Sequence, residues 1–144
     1  MERRYEYAKH PAFKAILALE EALHPFDKPL AELLKLRVSQ LNGCAYCVQM
    51  HVRDARKLGV PPAQVDLVAA WREAGPIFDA RTRAALGWAE AVTKIAETQA
   101  PDDVYAEARR HFDEGQMAAL TWGIAAINAW NRVAIASRQP LEPV

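Results

Sequence analysis

Two cysteines three residues apart, Cys44 and Cys47, are the most reactive feature of the sequence, and His51 follows four residues later. On a helix, at about 100° per residue, the three side chains fall within an arc of roughly 60°. Two thiols at this spacing can form a disulfide with little backbone movement. The first turn of a helix also favours thiolate through its free N–H groups and positive partial charge. The pattern predicts a thiol redox site in which His51 accepts or returns a proton.

Two other interpretations of the cysteine pair remain open at this point. Cysteines are often small buried hydrophobic residues. The two thiolates and His51 could instead bind zinc, but structural zinc needs four ligands and the sequence contains no second CxxC or HxxxH pair. His10, His24 and His111 stand alone and are predicted to be surface or capping residues. The sequence favours redox chemistry, and we expect neither a metal nor a cofactor.

The size and charge of the chain narrow the class of protein. The 144 residues are predicted to form a single domain, residues 1–144, large enough to bury a core. Apolar residues make up 51% and charged residues 25% of the chain. Basic and acidic residues number 18 each, so the net charge is near zero. The charge balance therefore gives no indication of a nucleic-acid or membrane-surface partner.

The segments that could direct the chain to a membrane are weak. Residues 1–7 lack the apolar run of a signal peptide. The longest apolar candidate, residues 117–130, is shorter than the roughly 18 residues of a membrane span and contains Asn128. We therefore expect a cytoplasmic protein.

Hydrophobic periodicity predicts an all-α fold, a single-domain bundle of about seven helices. The predicted helices cover residues 11–23, 29–41, 44–58, 63–74, 79–98, 101–112 and 113–137. Asn42-Gly43 is a typical chain break, which puts the cysteines at the start of the third helix. Asp113 and Gln116 have the spacing of a capping box for the last helix.

The last predicted helix is apolar nearly all round, with many small residues. Such a helix is normally buried on every side, and one small domain has little room for that, so we expect a subunit interface. The small residues are Ala118, Ala119, Gly123, Ala125, Ala126 and Ala129. The four tryptophans are predicted to pack in the protein rather than bind a cofactor; they are Trp71, Trp88, Trp122 and Trp130.

The run from Leu36 to His51 resembles the core motif of the AhpD-like alkylhydroperoxidases, within the carboxymuconolactone decarboxylase superfamily. The family motif is a glutamate, eleven residues, CxxC, three residues and a histidine, and it aligns without a gap here. The matching residues are Glu32, Cys44, Cys47 and His51. The likeness extends over most of the chain, through residues 52–59, 71–73, 83–90 and 127–132.

The resemblance implies a peroxidase of the dithiol type. A thiolate attacks the peroxide and becomes a sulfenic acid, the second cysteine condenses with it to a disulfide, and an external dithiol restores the pair. By this resemblance Cys47 attacks and Cys44 resolves. The position of Cys44 at the helix start instead favours thiolate at Cys44, and both assignments stay open.

The resemblance also makes Glu32 the distal base of a proton relay. In one continuous helix Glu32 would lie about 18 Å from Cys44. Only a chain reversal at Asn42-Gly43 can bring the carboxylate to the thiols; otherwise Glu32 is a solvated charge. Some family members carry a second histidine between the cysteines, where this chain has Tyr46, so Tyr46 is a candidate replacement in the relay.

The partners implied by the resemblance are a small hydroperoxide substrate, a dithiol reductant such as a lipoyl-bearing protein, and further copies of the chain in a homotrimer or homohexamer. Two other functions are consistent with the sequence. One is a decarboxylase-type lyase acting on a lactone acid, without reliance on the cysteines. The other is a non-enzymatic thiol redox sensor.

Overall fold

The computed structural model describes residues 1–23 and 27–143, and all of the regular structure in these ranges is helical. This confirms the all-α prediction. Three short 3₁₀ turns lie at Tyr7–Lys9, Val68–Ala70 and Gly75–Ile77. The α-helices are α1 (Ala12–Ala22), α2 (Lys28–Asn42), α3 (Ala45–Lys57), α4 (Pro62–Leu67), α5 (Ala80–Thr93), α6 (Ile95–Thr98), α7 (Asp102–Arg109) and α8 (Glu114–Ser137).

Side-chain caps define where the later helices begin. Asp113 accepts a hydrogen bond from the Gln116 N–H at 2.8 Å, and the Gln116 side chain accepts one from the Asp113 N–H at 2.9 Å. The capping box predicted for the long last helix is therefore confirmed. The Asp79 side chain caps α5 by accepting a hydrogen bond from the Thr82 N–H. This bond holds the pKa of Asp79 below its ordinary value.

The fourth predicted helix ends early, at Leu67, where the chain tightens into a 3₁₀ turn. Around this turn the buried side chains recur every three residues, at Val65, Val68 and Trp71. Three residues per turn is the period of a 3₁₀ helix, so the tighter turn keeps these three side chains on one side. The periodicity of 63–74 therefore came from two helix types rather than one.

The fifth predicted helix is broken at Lys94, where φ is −97° and ψ is 36°. The Thr98 hydroxyl donates a hydrogen bond to the Ala91 carbonyl at 2.6 Å, which stabilises the turn after the break. Two left-handed residues, Gln99 and Ala100, then end α6. The described residues accordingly contain eight α-helices where about seven were expected.

Helix α2 is the centre of the fold and contacts α3, α5 and α8. Its side chains Leu33, Leu36 and Val38 are each exposed by 2% or less. Burying one such side chain stabilises the fold by about 1.5–3 kcal/mol. Helix α2 is thus held on several sides, and it carries Glu32.

Helix α8 is buried on one face only within a single subunit. Leu120, Ile124 and Ile127 lie in the core, whereas Trp122 is 60% and Ile135 is 46% exposed. The expectation that this helix is buried all round is therefore not met inside one chain, and the subunit interface stays a prediction. None of the helices in the described ranges combines the length and hydropathy that a bilayer crossing requires.

The tryptophans divide in the same way. Trp71 and Trp88 are 7% and 8% exposed, and Trp130 packs against Tyr7 and Phe13 at ring distances of 6.5 and 5.7 Å. These three pack within the chain as predicted. Trp122 does not, because it lies on the exposed face of α8.

Candidate active site

The two cysteines form a disulfide at the start of α3. Their Cα atoms are 5.3 Å apart, within the usual range for a bridged pair. Cys44 is the N-cap residue, and its sulfur accepts a hydrogen bond from the Cys47 N–H at 3.3 Å. Cys44 and Cys47 are 1% and 2% exposed and pack against Tyr46 and Ala134. The CxxC pair therefore lies at the start of the third helix, as predicted, and is capable of forming a disulfide.

The chain reversal before the cysteines depends on Gly43. Its φ of 70° is in the left-handed region, which glycine adopts without the strain of a Cβ. The Gly43 N–H donates to the Gln40 carbonyl at 3.2 Å, and the Cys44 N–H donates to the Ser39 carbonyl at 3.0 Å. These bonds close the last turn of α2 and direct α3 back along it. The predicted break at Asn42-Gly43 is thus where α2 ends.

The reversal brings Glu32 on α2 to His51 on α3. His51 Nδ1 lies 2.7 Å from Glu32 Oε2, although 19 residues separate them. The two side chains are 6% and 15% exposed. The carboxylate accepts the hydrogen bond, so Nδ1 carries the proton. The predicted proximity of Glu32 to the thiol-bearing helix is therefore present in the structure.

The other nitrogen of His51, Nε2, is buried and has no hydrogen-bond partner among the described residues. In the neutral imidazole a donating Nδ1 leaves Nε2 as the acceptor. A buried polar atom without a partner is rare and marks a functional position or an absent partner. Since His51 lies one turn after Cys47 on α3, this nitrogen is suited to exchange a proton with a thiol or a peroxide.

Lys35 is a polar neighbour of Glu32 that sequence reasoning missed. Its ammonium lies 3.6 Å from Glu32 Oε1 and 2.9 Å from Glu20 Oε2 on α1. The i,i+3 spacing of Glu32 and Lys35 was a weak signal of the first contact. Nothing in the sequence indicated the second, because it joins two helices.

Tyr46 packs against the cysteines but forms no hydrogen bond with Glu32 or His51. Its hydroxyl makes no hydrogen bond to any residue in the described part of the chain. Burial raises the pKa of the Tyr7 hydroxyl, and the nearby Tyr46 raises it further. Tyr46 therefore lies near Tyr7 of the N-terminal segment, and its role in the relay stays a prediction.

A buried polar cluster fixes the end of α2 against α8. Asn131, which is fully buried, donates to the Ser39 hydroxyl at 3.0 Å. The Asn42 side-chain amide donates to the side-chain Oδ1 atoms of Asn128 and Asn131, each at 2.9 Å. Sequence reasoning used Asn42 only as a turn residue and missed this cluster, which holds the chain reversal in place.

Across residues 1–23 and 27–143, no group of three or more His, Cys, Asp or Glu side chains is arranged to hold a metal ion. His10 has a capping role, as its Nδ1 accepts a hydrogen bond from the Ala12 N–H at 3.1 Å. His111 lies 3.6 Å from Glu107. The prediction for His24 falls outside the described residues.

The fold and the disulfide-capable pair together define an all-helical, AhpD-like protein. The chain belongs to the carboxymuconolactone decarboxylase family, whose sequence profile matches residues 11–91. The uncharacterized protein YdfG of Bacillus subtilis (strain 168) is 43% identical over 110 residues, which is 76% of this chain and 74% of that protein.

Solved structures agree with this membership. A protein of unknown function from Agrobacterium tumefaciens, described as a candidate antioxidant defence protein AhpD, is 43% identical with a TM-score of 0.95 over 99% of this chain and 100% of its own. A peroxidase-related protein with an alkylhydroperoxidase AhpD core, from Ralstonia eutropha JMP134, is 26% identical with a TM-score of 0.79 over 91% of this chain and 70% of its own. The family and its relatives indicate an enzyme-like oxidoreductase or lyase.

Proposed function

We propose that this protein is a thiol peroxidase that reduces hydroperoxides through a dithiol/disulfide cycle of Cys44 and Cys47, with His51 and Glu32 moving the protons. The observation that carries the proposal is the part-buried hydrogen bond of 2.7 Å between Glu32 on α2 and His51 on α3, the helix that begins at the bridged cysteine pair. Such a base and its orienting carboxylate activate a nucleophile in many enzymes.

The first step is attack on the peroxide. The thiolate of Cys47 attacks one peroxide oxygen, the O–O bond breaks, and Cys47 becomes a sulfenic acid. The departing alkoxide takes a proton and leaves as an alcohol. His51 Nε2, which is buried and meets no hydrogen-bond partner within residues 1–23 and 27–143, is the group we assign to accept the thiol proton and return it to the alkoxide. The proximity of His51 to Cys47 on α3 supports Cys47 as the attacking cysteine.

The second and third steps restore the enzyme. The Cys44 thiol attacks the sulfenic sulfur of Cys47, a disulfide forms and water leaves. An external dithiol then transfers two electrons and two protons to the disulfide through a mixed disulfide and is itself oxidised to a disulfide. The position of Cys44 at the helix N-cap supports this role, since the N–H of Cys47 stabilises a leaving thiolate there.

The burial of both sulfurs supports a small substrate and a slender reductant. At 1% and 2% exposure, the cysteines are accessible only after local movement, which favours hydrogen peroxide or a small alkyl hydroperoxide. A dithiol borne on a flexible arm, such as a lipoyl group on a carrier protein, fits this restriction better than a thiol on a flat protein surface. We place this cycle in the cytoplasm, where reduced dithiols are maintained.

We further propose that the protein works as a homotrimer or homohexamer. The exposed face of α8 presents Trp122 and Ile135 with small neighbours Ala118 and Ala125. A monomer would leave these apolar side chains in water, whereas small residues allow a second helix to approach closely.

The test is steady-state consumption of hydrogen peroxide and cumene hydroperoxide with dihydrolipoamide as the dithiol. We expect turnover by the unchanged protein, none by Cys47→Ser, and markedly slower turnover by Cys44→Ser, whose sulfenic acid must be reduced by the external dithiol without an internal disulfide. Full turnover in Cys44→Ser, or any turnover in Cys47→Ser, contradicts the proposal. Release of carbon dioxide from a lactone acid without peroxide turnover would indicate the lyase, and reversible oxidation without turnover would indicate a redox sensor.

A further inference from the structure

Three side chains of alternating charge, Glu20, Lys35 and Glu32, run from the surface of α1 to the imidazole of His51. Glu20 on α1 lies 2.9 Å from Lys35 on α2, and Lys35 lies 3.6 Å from Glu32 Oε1. The other carboxylate oxygen of Glu32, Oε2, lies 2.7 Å from His51 on α3. Each oxygen of Glu32 therefore has its own partner, one cationic and one an imidazole.

We propose that Lys35 is a positioning residue for the Glu32–His51 relay and that Glu20 holds it in place. The inference rests on the proposed peroxidase function and adds a residue to that site. By holding Oε1, the ammonium fixes the rotation of the carboxylate, so that Oε2 faces His51 Nδ1. An ionised carboxylate accepts the Nδ1–H bond more strongly than a neutral carboxyl oxygen would.

The burial of Lys35 distinguishes it from an ordinary surface ion pair. Exposed pairs at i,i+3 contribute little, because water screens them and both side chains move freely. Lys35 is 21% exposed and Glu32 15%, and the ammonium is shared by two carboxylates from two helices. This geometry restricts the lysine side chain far more than a single pair on one helix.

A cavity of about 210 Å³ opens beside these groups and brings solvent to the outer side of Glu32. Lys28 and Lys35 on α2 and Glu20 on α1 line it, while α8 contributes the uncharged Ala119 and Gly123. On its inner side Glu32 meets His51 on α3. Among the described residues, Lys35 is therefore the one lysine or arginine within salt-bridge distance of Glu32. The other polar partner of Glu32 is the imidazole of His51.

The test variant Lys35→Met removes the charge of Lys35 and keeps a long, unbranched side chain. In Lys35→Met we expect kcat/KM for peroxide to fall by about tenfold or more. We also expect the shape of the pH–rate profile to change, because the group beside the carboxylate loses its charge. Lys35→Arg retains the charge and should restore kcat/KM to within about threefold of the parent, together with the parent's pH–rate profile.

Lys28→Met is the matched control, since Lys28 lines the same cavity on the same helix but forms no ion pair with Glu32; it should leave the profile unchanged. Glu20→Gln releases Lys35 without removing its charge and should lower kcat/KM by a smaller factor than Lys35→Met, which keeps the inference testable if Lys35→Met folds poorly. An unmoved pH–rate profile in Lys35→Met, or an unchanged kcat/KM in Glu20→Gln, with the protein folded by circular dichroism, overturns the inference.

A second readout separates this inference from the proposed function. The rate at which iodoacetamide alkylates Cys47 in the reduced Cys44→Ser protein reports thiolate directly and needs no peroxide. We expect Lys35→Met to slow this alkylation most at acidic pH, and Lys35→Arg to restore it. Slowed alkylation in a protein that turns over no peroxide would refute the peroxidase and leave the positioning role intact. Normal turnover with unchanged alkylation and an unchanged pH profile would refute the positioning role alone.

Discussion

Glu32 and His51 are joined by a hydrogen bond of 2.7 Å across two helices, although they lie 19 residues apart. The carboxylate orients the imidazole and fixes its proton on Nδ1, which leaves Nε2 free to act as a base. This division of roles between a base and its orienting carboxylate is the basis of the first prediction.

Replacing Glu32 by Gln keeps the size of the side chain and removes its charge. We expect peroxide turnover to fall by a factor on the order of 10²–10⁴, the usual range for acid–base groups. A strong oxidant should still form the disulfide, because both sulfurs remain, and a thermal melt should show intact folding. The control is Tyr46→Phe, which removes a hydroxyl that packs near the cysteines but makes no hydrogen bond to the relay; its effect should be much smaller. Equal turnover in Glu32→Gln and the unchanged protein would leave His51 as the sole base.

We expect the substitution of Gly43 to lower the free energy of unfolding, because its turn needs a left-handed backbone. A Cβ at this position meets no atom within 4 Å, so the cost of Gly43→Ala is conformational and comes from the φ of 70°. We expect a loss of about 1 kcal/mol or slightly more in the free energy of unfolding. Gly123→Ala is the control, because Gly123 lies inside α8 with open space around it, and alanine there should stabilise the helix by roughly 0.5–1 kcal/mol. Urea denaturation measures both; a Gly43→Ala protein as stable as the parent would contradict the left-handed turn.

Much of this architecture was predictable from local sequence. The break at Asn42-Gly43 and the capping box at Asp113 rely on residues close together in the chain, so the sequence indicates them directly. The break at Lys94 was missed because it depends on a hydrogen bond from Thr98 back to the Ala91 carbonyl, which has no pattern in hydrophobicity.

The residues of the site also divide into those that the local sequence indicates and those that it does not. The cysteine pair and His51 share one helix, and the family motif added Glu32. Lys35 was missed because its second partner, Glu20, lies on another helix. The Asn131–Ser39 bond spans 92 residues, and a single sequence contains no signal for such a contact.

We expect Glu90 to make a pH-dependent contribution to the free energy of unfolding. Burial raises the pKa of Glu90, but hydrogen bonds from Trp71, Arg72 and Arg37 outweigh it, so the pKa lies below its ordinary value. A lowered pKa in the folded state stabilises the protein above the unfolded-state pKa, and this stabilisation is lost as the pH falls through the folded-state value. At neutral pH we expect Glu90→Gln to lower the free energy of unfolding by about 1–3 kcal/mol, since three donors lose a charged partner.

The difference between Glu90→Gln and the parent should begin to narrow as the pH falls below the ordinary pKa of a glutamate, and it should vanish only below the lowered pKa of the native carboxylate. Thermal melts at neutral and acidic pH measure it. Glu97→Gln, at an exposed position on α6, should match the parent at both pH values. A Glu90→Gln deficit that stays constant with pH would show that shape, rather than charge, is what the network requires.

The exposed face of α8 predicts an oligomer. Light scattering should give a mass several times the 16.1 kDa of one chain. Trp122→Glu places a charge on that face and should reduce the mass towards a single chain, because an unpaired charge buried at an interface is costly. Ile95→Glu, on α6, makes a comparable change at a 53% exposed side chain and should leave the mass unchanged. A monomer at micromolar concentration would refute the interface.

If the proposed cycle is right, one hydroperoxide oxidises the cysteine pair once. The fully reduced protein is mixed with one equivalent of tert-butyl hydroperoxide, a small alkyl hydroperoxide, without any reductant, and both products are followed by mass spectrometry. We expect one equivalent of tert-butanol, and a protein mass lower by two hydrogens from a link between Cys44 and Cys47. Cys44→Ser should stop at a sulfenic acid on Cys47 that a dimedone probe traps, and Cys47→Ser should form no alcohol. A protein that keeps both thiols and leaves the hydroperoxide intact is not a thiol peroxidase of this kind.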